Sequence, residues 1–208
     1  MGKQYWKAAN LLNPVPVVMI SCADKQGHEN IMTAAWCGTV CSDPVMVSVS
    51  IRKSRYSHQL ISESGEFVIN LTSRQLVKAC DFVGIKSGRN IDKFQLKGDL
   101  HLTRIPSHVV KAPSIAEAPL SLECKVKQVI ELGSHDMFIA EVVCTAVDES
   151  ILDENNRLDL SKADLVAYNH GEYFTLGESA GKFSFSTHKE EKLKTRQSIN
   201  KEKKRTQH

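Results

Sequence analysis

The stretch DPVMVSVSIRKSRYSHQLISESGEFVINL, residues 43–71, decides the fold class. It opens with branched apolar residues that alternate with methionine and serine, which is the period-two pattern of a half-buried antiparallel strand. Ser54 and Ser57 are candidate N-caps of a following helix, and Gly65 is placed to end it. Another apolar run follows directly. The stretch therefore predicts three consecutive elements, a strand over 45–51, a helix over 54–65 and a strand over 66–71.

Outside this stretch, three more apolar runs predict strands, over residues 16–21, 122–132 and 137–147. The last of them is apolar on both faces, as expected for a central strand, and Gly133 before it is placed for a hairpin turn. A second helix is predicted over 72–84, opening with a possible capping box of Thr72 and Gln75. Residues 103–119 contain three prolines and predict an irregular crossover. Many strands with two helices indicate a mainly β protein, a closed or partly closed barrel with flanking helices.

Size and composition restrict the class of protein. The chain has 208 residues and 23.2 kDa, enough for one large domain or two small ones. No stretch has the about 18 to 20 apolar residues of a membrane helix, and the start, MGKQYWKAAN, lacks the apolar core of a secretory signal. The six cysteines have spacings that suit neither a zinc site nor a disulfide framework. We therefore expect a cytoplasmic protein with reduced cysteines, no bound metal and no membrane contact.

The charge is unevenly distributed along the chain. Residues 188–208 carry eight basic and three acidic side chains, whereas the rest carries nineteen basic and twenty-one acidic ones. We expect one domain over 1–187 and a charged basic tail over 188–208. The tail has no aromatic residue for stacking on bases, so a solvated tail or terminal helix is favoured over a nucleic-acid contact.

Several familiar motifs are absent or occur in the wrong context. GESAG, residues 177–181, has the letters of a hydrolase nucleophile elbow, but no apolar helix and no aspartate follow Ser179. The histidines contain no His-x-x-x-His pair of the kind that binds zinc on a helix. Neither a Gly-x-Gly-x-x-Gly fingerprint nor a phosphate-binding Walker loop is present. Hydrolase, zinc and Rossmann-type functions are therefore not indicated.

Hydroxyl and cationic residues gather where the first strand is predicted to meet the first helix. A bound phosphate needs such donors, preferably at a helix N-terminus. A solvated helix start would explain these residues of RKSRYS equally well. The loop CDFVGIKSGRNIDKF could add further donors. The candidate phosphate-binding residues are Arg52, Ser54, Arg55 and Ser57 from the strand–helix junction, with Ser87 and Lys93 from the loop.

The segment ENIMTAAW, residues 29–36, places small side chains directly before an indole. Backbone amides can donate to the polar edge of a flat ring, such as a flavin, only where the neighbouring side chains are small. Thr33, Ala34 and Ala35 permit that approach, with the Thr33 hydroxyl as a further donor. Trp36 could cover a face of the ring. The alternative is that Trp36 is an ordinary core residue of a barrel.

Taken together, the motifs NIMTAAW, DPVMVSVSIRKSRYSHQLISESGEFVINL, DFVGIKSGRNIDKF and HGEYFTLGE resemble the flavin reductase-like, FMN-binding split-barrel family, and most of all its flavoredoxin branch. The resemblance covers roughly residues 10–178. It implies a Greek-key split barrel, non-covalent FMN and a homodimer with the flavin near the subunit interface. One departure is SRYS at residues 54–57, where nicotinamide-using partners of oxygenases in this superfamily often have Ser-Ser-x-Thr.

The resemblance also implies roles for individual residues. The segment 33–36 would line the flavin ring, and the candidate donors above would hold the phosphate. Cys80 would flank the cofactor, with a purely structural helix residue as the alternative. His170 and Tyr173, in HGEYFTLGE, are candidates for shaping the site of the electron donor or acceptor. The residues expected to run beside the ring and the ribityl chain are Ser50, Ile51 and Arg52.

The function expected from these features is that of an FMN-dependent oxidoreductase, with NAD(P)H as a possible donor. Because the cofactor carries the redox chemistry, no catalytic side chain is required. Two alternatives stay open. One is an electron carrier reduced by another redox protein, and the other is a cofactor-binding protein without turnover.

Overall fold

The structure, a computed structural model, describes residues 2–187. The predicted tail over 188–208 lies outside the described residues. The chain divides into two compact units, one ending at Leu176 and one beginning at Gly177. The described part of the second unit contains a 3₁₀ turn, Phe185–Thr187. The fold and the site described below belong to the first unit.

The first unit contains two α-helices, α1 (Tyr56–Ser64) and α2 (Val77–Ile85). Short 3₁₀ turns connect several elements, and one of them, Arg74–Leu76, leads directly into α2. Among residues 2–187, no helix is both long and apolar enough to span a membrane. The strands are β1 (Val15–Pro16), β2 (Val18–Ala23), β3 (Glu29–Ala34), β4 (Cys37–Ser42), β5 (Val45–Arg52), β6 (Glu66–Leu71), β7 (Arg104–Ile105), β8 (Ser114–Ile115), β9 (Leu120–Glu131), β10 (His135–Val147), β11 (Val166–Asn169) and β12 (Glu172–Thr175).

Seven of these strands form one antiparallel sheet in the order β3-β2-β6-β9-β10-β5-β4. Apolar side chains from strands near opposite ends of the order share one core. Met32 and Ala34 of β3 belong to the same cluster as Val47 and Val49 of β5, together with Phe138 of the central strand β10. Because residues so far apart in a flat sheet could not meet, the sheet must curve around this core. The result is a barrel that is split between its two edge strands.

A second core lies on the other side of β2 and β3. Met19 and Ile31 point away from the barrel interior and pack against Ala79 and Val83 of α2. Both faces of β2 are consequently buried along its whole length. This packing fixes α2 beside the edge strand β3.

Most of the predicted elements are confirmed. The strands predicted over 45–51, 66–71, 122–132 and 137–147 correspond to β5, β6, β9 and β10, and β10 is central as expected. Gly65 ends α1 in a left-handed conformation with φ of 73°, its amide donating to the Ile61 carbonyl. Gly133, with φ of 80°, lies in the β9–β10 hairpin.

The predicted helix starts are wrong in detail. The N-cap of α1 is Arg55, without a side-chain capping bond, and neither Ser54 nor Ser57 fills that role. Ser57 instead is buried within the first turn. The capping box is also missing, because Thr72 is buried and its hydroxyl donates to the Cys80 thiol at 3.5 Å. Ser57 and Thr72 therefore hydrogen-bond to residues of other elements, and neither caps the helix start that the local sequence predicts for it.

The strands β3 and β4 escaped prediction, and the crossover is more ordered than expected. All six residues of β3 are buried or half-buried, in a mixed pattern on both faces, and β4 is an exposed edge strand of mostly small residues. Neither shows a clear period of two. The segment 103–119 contains the two-residue ladder β7–β8.

Candidate functional site

Two adjoining pockets lie between β3, the end of β5 and the start of α1. The first, the corner pocket, has a volume of about 260 Å³, and the second, the edge pocket, has about 190 Å³. They share Met32, Arg52 and Arg55, so a single elongated ligand could occupy both. Predicted residues of the corner pocket are Arg52, Ser54, Arg55, Ser57, Ser87 and Lys93. Predicted residues of the edge pocket are Thr33, Ala34, Ala35, Trp36 and Ser50.

The corner pocket is lined by four cationic side chains and no carboxylate. Arg52 comes from the end of β5, Arg55 from the start of α1, and Lys86 and Lys93 from the segment after α2. The first turn of α1 also faces this region, and its N-cap offers no side-chain acceptor to the free amides. Positive side chains and open helix amides together favour an anion. A phosphate has the charge and the acceptors that this pocket lacks.

Two of the cations are anchored by backbone carbonyls. Arg55 donates from Nη1 to the Gly84 carbonyl at 2.8 Å. Lys93 is 3% exposed and donates from Nζ to the carbonyls of Ile31 at 2.6 Å and Val83 at 2.7 Å. Burial, together with the neighbouring Arg55 guanidinium, lowers the pKa of Lys93 to about 8. Most of this shift comes from burial, and the part that comes from Arg55 is the repulsion between two cations of the same pocket.

Ser57 lines the corner pocket but is fully buried, and its hydroxyl bonds to a neighbouring side chain of the pocket wall. Its Oγ accepts a hydrogen bond from Asn30 Nδ2 at 2.8 Å. Asn30 is the second residue of β3, and this bond ties the edge strand to the first turn of α1. The loop after α2 closes against the same place at Gly88, where an added Cβ would lie 2.0 Å from Asn30 Oδ1.

The edge pocket is built from the end of β3. Since β3 is the last strand of its sheet, one side of its backbone has no neighbouring strand, and its small side chains leave that side accessible. Trp36 is 45% exposed and lies 4.7 Å from the His135 ring, centroid to centroid. Burial and the nearby Arg52 lower the pKa of His135. A flat ring could therefore lie along the β3 backbone with the indole and imidazole beside it.

One expected donor is already used. The Thr33 hydroxyl donates to the Cys80 carbonyl, so its hydrogen is not directed at the edge pocket. Gly84 of α2 lies close to the same side chain, since an added Cβ there would be 2.9 Å from Thr33 Cβ. Thr33 thus lines the pocket while its hydroxyl fastens β3 to α2.

Four predicted residues do not line either pocket. Ile51 is 1% exposed and points into the barrel core, on the opposite face of β5 from Ser50 and Arg52. Cys80 is buried on α2, where burial raises the pKa of its thiol, and it reaches the site only through its contact with Thr33. His170 lies in the β11–β12 turn with φ of 49°. Tyr173 donates to Asp81 Oδ1 at 2.9 Å and packs on Tyr168.

Sequence reasoning missed six residues that line the pockets. Asn30 and Met32 lie on β3, alternating with Ile31, and a strand assignment for NIMTA would have placed them on one face with Ala34. His135 reaches the edge pocket because β10 pairs it with Arg52, a register that local sequence does not reveal. The missed residues are Asn30, Met32, Tyr56, Lys86, Gly88 and His135.

A wider and more open cleft of about 740 Å³ meets the corner pocket at Tyr56 and Gly88. Its lining includes Arg89, whose guanidinium lies 4.9 Å from the Tyr56 ring centroid, but also the carboxylates of Glu29 and Asp92. Mixed charge makes this cleft less suited to an anion than the corner pocket. Among the described residues, no cluster of three or more His, Cys, Asp or Glu side chains could hold a metal ion.

Comparison with known proteins identifies the family of this chain. The family described as "Flavin reductase like domain" matches residues 11–177, which is most of the chain. The chain belongs to the flavin reductase-like family. The predicted family and the split-barrel fold are thereby confirmed.

Solved structures of three other proteins superpose on this one. Flavoredoxin of Desulfovibrio vulgaris (Miyazaki F) is 36% identical with a TM-score of 0.82, over 90% of this chain and 100% of that one. Flavoredoxin from Methanosarcina acetivorans is 28% identical with a TM-score of 0.79, over 95% and 100%. The FMN-binding protein from Thermus thermophilus, solved with bound 1-cyclohex-2-enone, is 22% identical with a TM-score of 0.71, over 88% and 98%. At that identity, the third likeness concerns the fold alone.

Proposed function

We propose that this flavin reductase-like protein binds FMN without a covalent bond and passes electrons through it. The observation that carries the proposal is the corner pocket, where four cations and the open amides of α1 converge with no carboxylate among the lining residues. The adjoining edge pocket offers accessible backbone and small side chains to a flat ring. Two solved relatives are flavoredoxins, and a third protein of this fold is named for FMN binding.

The chain's own residues would position the cofactor rather than take part in bond changes. Arg52, Arg55 and Lys93 would neutralise the phosphate, and the β3 backbone beside Ala34 and Ala35 would donate to the polar edge of the ring. Bound FMN would supply one- and two-electron transfer. No acid or base of the protein is then needed, which fits the predominantly cationic and small side chains of the two pockets.

Absorbance and fluorescence test the cofactor and its placement. The purified protein, after addition of FMN and gel filtration, should retain flavin absorbance. The chain has two tryptophans, Trp36 in the edge pocket and Trp6 in the exposed N-terminal segment. We expect FMN to quench the fluorescence of the Trp6→Phe variant strongly and that of Trp36→Phe weakly. Failure to retain flavin, or equal quenching in both variants, would contradict the proposed site.

We propose NAD(P)H oxidation as the enzymatic form of this function. The support is the family itself and the accessible edge pocket, where a nicotinamide ring could stack on the flavin at about 3–3.5 Å. Anaerobic titration with NADH and with NADPH tests it, because a reductase loses its flavin absorbance within seconds of addition. A stable oxidised spectrum with both nucleotides would exclude them as donors.

An electron carrier is the second candidate. Trp36 is nearly half exposed at the mouth of the edge pocket, so this end of a bound ring is accessible to another protein. Reduction by a reduced redox protein, but by neither nucleotide, would support the carrier. We place either activity in a reducing cytoplasm, since all six cysteines are free thiols in the structure.

We also propose that the protein works as a homodimer. Val40 and Val45 are each about half exposed at the edge strand β4 and the start of β5, where a second copy could cover them. Size-exclusion chromatography with light scattering should give twice the 23.2 kDa of one chain. A mass of one chain at micromolar concentration would contradict the dimer.

A further inference from the structure

The Asn30 side chain presents a buried oxygen that has no hydrogen-bond partner in the described part of the chain. Asn30 is 4% exposed and lines the corner pocket. Its Nδ2 donates to Ser57 Oγ at 2.8 Å, which fixes the carboxamide plane, whereas Oδ1 has no hydrogen-bond partner among residues 2–187. A buried amide oxygen without a partner is costly. A group that enters the corner pocket could supply the missing donor.

The surroundings of Asn30 keep its carboxamide in this position. An added Cβ on Gly88 would lie 2.0 Å from Oδ1 and 2.6 Å from Cγ, so a side chain at 88 would displace the amide. Gly88 does not have a positive φ, and its glycine is therefore needed for close approach rather than for backbone conformation. The loop after α2 and the first turn of α1 thus hold Asn30 from two sides.

The chemistry of the corner pocket identifies the kind of group that Oδ1 would meet. The arginine and lysine side chains around it can only donate, and the serine and tyrosine hydroxyls can donate or accept. Among the described side chains of this pocket, Asn30 Oδ1 is the oxygen that can only accept, and the other acceptor that cannot donate is the weak thioether sulfur of Met32. A phosphate dianion cannot satisfy it, because its oxygens are acceptors. A ligand hydroxyl that lies next to the phosphate would supply the donor that Oδ1 lacks.

We propose that Asn30 Oδ1 accepts a hydrogen bond from a ribityl hydroxyl of the ligand and thereby selects a phosphate ester of a polyol; this rests on the proposed function. The position of Asn30 on β3 is consistent with a contact to the middle of such a ligand. Asn30 lines the corner pocket, and Met32, two residues further along the strand, lines both pockets. A ligand with its phosphate among the cations and its ring at Ala34 would lay its polyol chain along this strand.

The test compares FMN with riboflavin, which has the same polyol but no phosphate. Asn30→Leu removes the oxygen at similar volume, and dissociation constants are measured from the quenching of flavin fluorescence. We expect both constants to rise by a similar factor, about three- to tenfold, the loss of one neutral hydrogen bond. Asn90→Leu, a like substitution two residues beyond Gly88 and outside the corner pocket, should change neither constant.

Two other results would overturn the assignment. A loss confined to FMN would place the carboxamide on the phosphate, and unchanged constants for both ligands would remove Asn30 from the binding site. A wild-type protein that binds neither flavin would instead overturn the proposed function itself. Circular dichroism of the ligand-free variants establishes whether they fold. If Asn30→Leu does not fold, the same comparison of FMN with riboflavin is made with Asn30→Ser.

Gly88→Ala gives an independent route to the same atom. The added methyl must displace Oδ1, so we expect weaker binding of both flavins although Asn30 is still present. The double variant Asn30→Leu/Gly88→Ala should bind no more weakly than the worse single variant, because both changes remove one contact. Fully additive losses would mean that Gly88 acts on the ligand by itself and would contradict the proposed link.

Discussion

Lys93 and Glu123 are both buried charged side chains, but their surroundings differ. Glu123 is 1% exposed, and its carboxylate accepts from the amides of His108, Val109 and Val110 at 2.6–3.1 Å. Burial alone would raise the pKa of Glu123, but these three bonds lower it. Lys93 donates to two carbonyls, but burial and then the neighbouring Arg55 lower its pKa to about 8. Both charges have hydrogen-bond partners, but the charge of Lys93 also lies beside a like charge, that of Arg55.

This difference separates a structural charge from one that is available to a ligand. The amides that surround Glu123 belong to the crossover 103–119, so the carboxylate fixes a proline-containing segment to β9. Lys93 and Arg55 repel one another, and a bound anion would relieve that repulsion while both stay charged. An apparently unfavourable cluster of like charges is therefore the better indicator of a binding site.

Removing the Glu123 carboxylate should have the largest effect, and it should be an effect on stability. Glu123→Leu leaves three amides without their acceptor, so we expect the free energy of unfolding to fall by about 3 kcal/mol or more. Urea denaturation measures it. Glu131→Leu, a matched change at an exposed carboxylate, should cost less than about 1 kcal/mol. A loss below about 1 kcal/mol in Glu123→Leu would contradict a structural role of the Glu123 carboxylate and so its difference from Lys93.

Removing a pocket cation should weaken FMN binding with little effect on stability. Arg52→Ala should cost roughly 1–3 kcal/mol of FMN affinity, the range for a charge-assisted hydrogen bond, and much less for riboflavin. Lys53→Ala is the control, because Lys53 is the next residue but bonds to Glu131 outside the pockets. Ser57→Ala should weaken FMN similarly, although the loss would include its bond to Asn30. Unchanged affinity in both pocket variants would mean that the phosphate lies elsewhere.

Lys93→Met tests the buried ammonium directly. We expect FMN affinity to fall by about 1–2 kcal/mol, within the usual range for a hydrogen bond to a charged group. The free energy of unfolding should fall less than in Glu123→Leu, since the variant also loses the repulsion between Lys93 and Arg55. Calorimetric titration and urea denaturation of the same preparation measure both quantities. A stability loss equal to that of Glu123→Leu would make Lys93 a structural charge as well.

The lowered pKa of Lys93 also predicts a pH dependence of stability and of FMN binding. The pKa of Lys93 is lowered from 10.5 to about 8, so between these values the unfolded chain holds a proton that the native protein has lost. The free energy of unfolding of the wild type therefore rises with pH through this range. Its value minus that of Lys93→Met should increase from pH 8 to 10.5. FMN affinity of the wild type should fall above pH 8, since the neutral amine no longer attracts phosphate. Parallel curves for the two proteins would contradict the lowered pKa.

Local sequence was sufficient to predict features that depend on a single helix, strand or turn. The alternation at 45–51 predicts β5, and Gly65 ends α1 because a left-handed residue is needed there. The phosphate residues could be proposed because five of the six lie within a few residues of a predicted helix end. Local sequence did not place Ile51 and Cys80 correctly. The Ile51 side chain points into the barrel core, and Cys80 contacts Thr33 rather than the pocket itself.

The sequence by itself determined the strand and helix pattern, the mainly β class and the set of cationic and small residues from which a site could be built. Tertiary structure decided which of them meet. The curvature of the sheet and the packing of α2 on β3 bring Lys93 under the start of α1, and the β5–β10 register brings His135 to Trp36. These contacts join residues distant in the chain, and their geometry depends on how whole elements pack, which no local pattern of residues encodes.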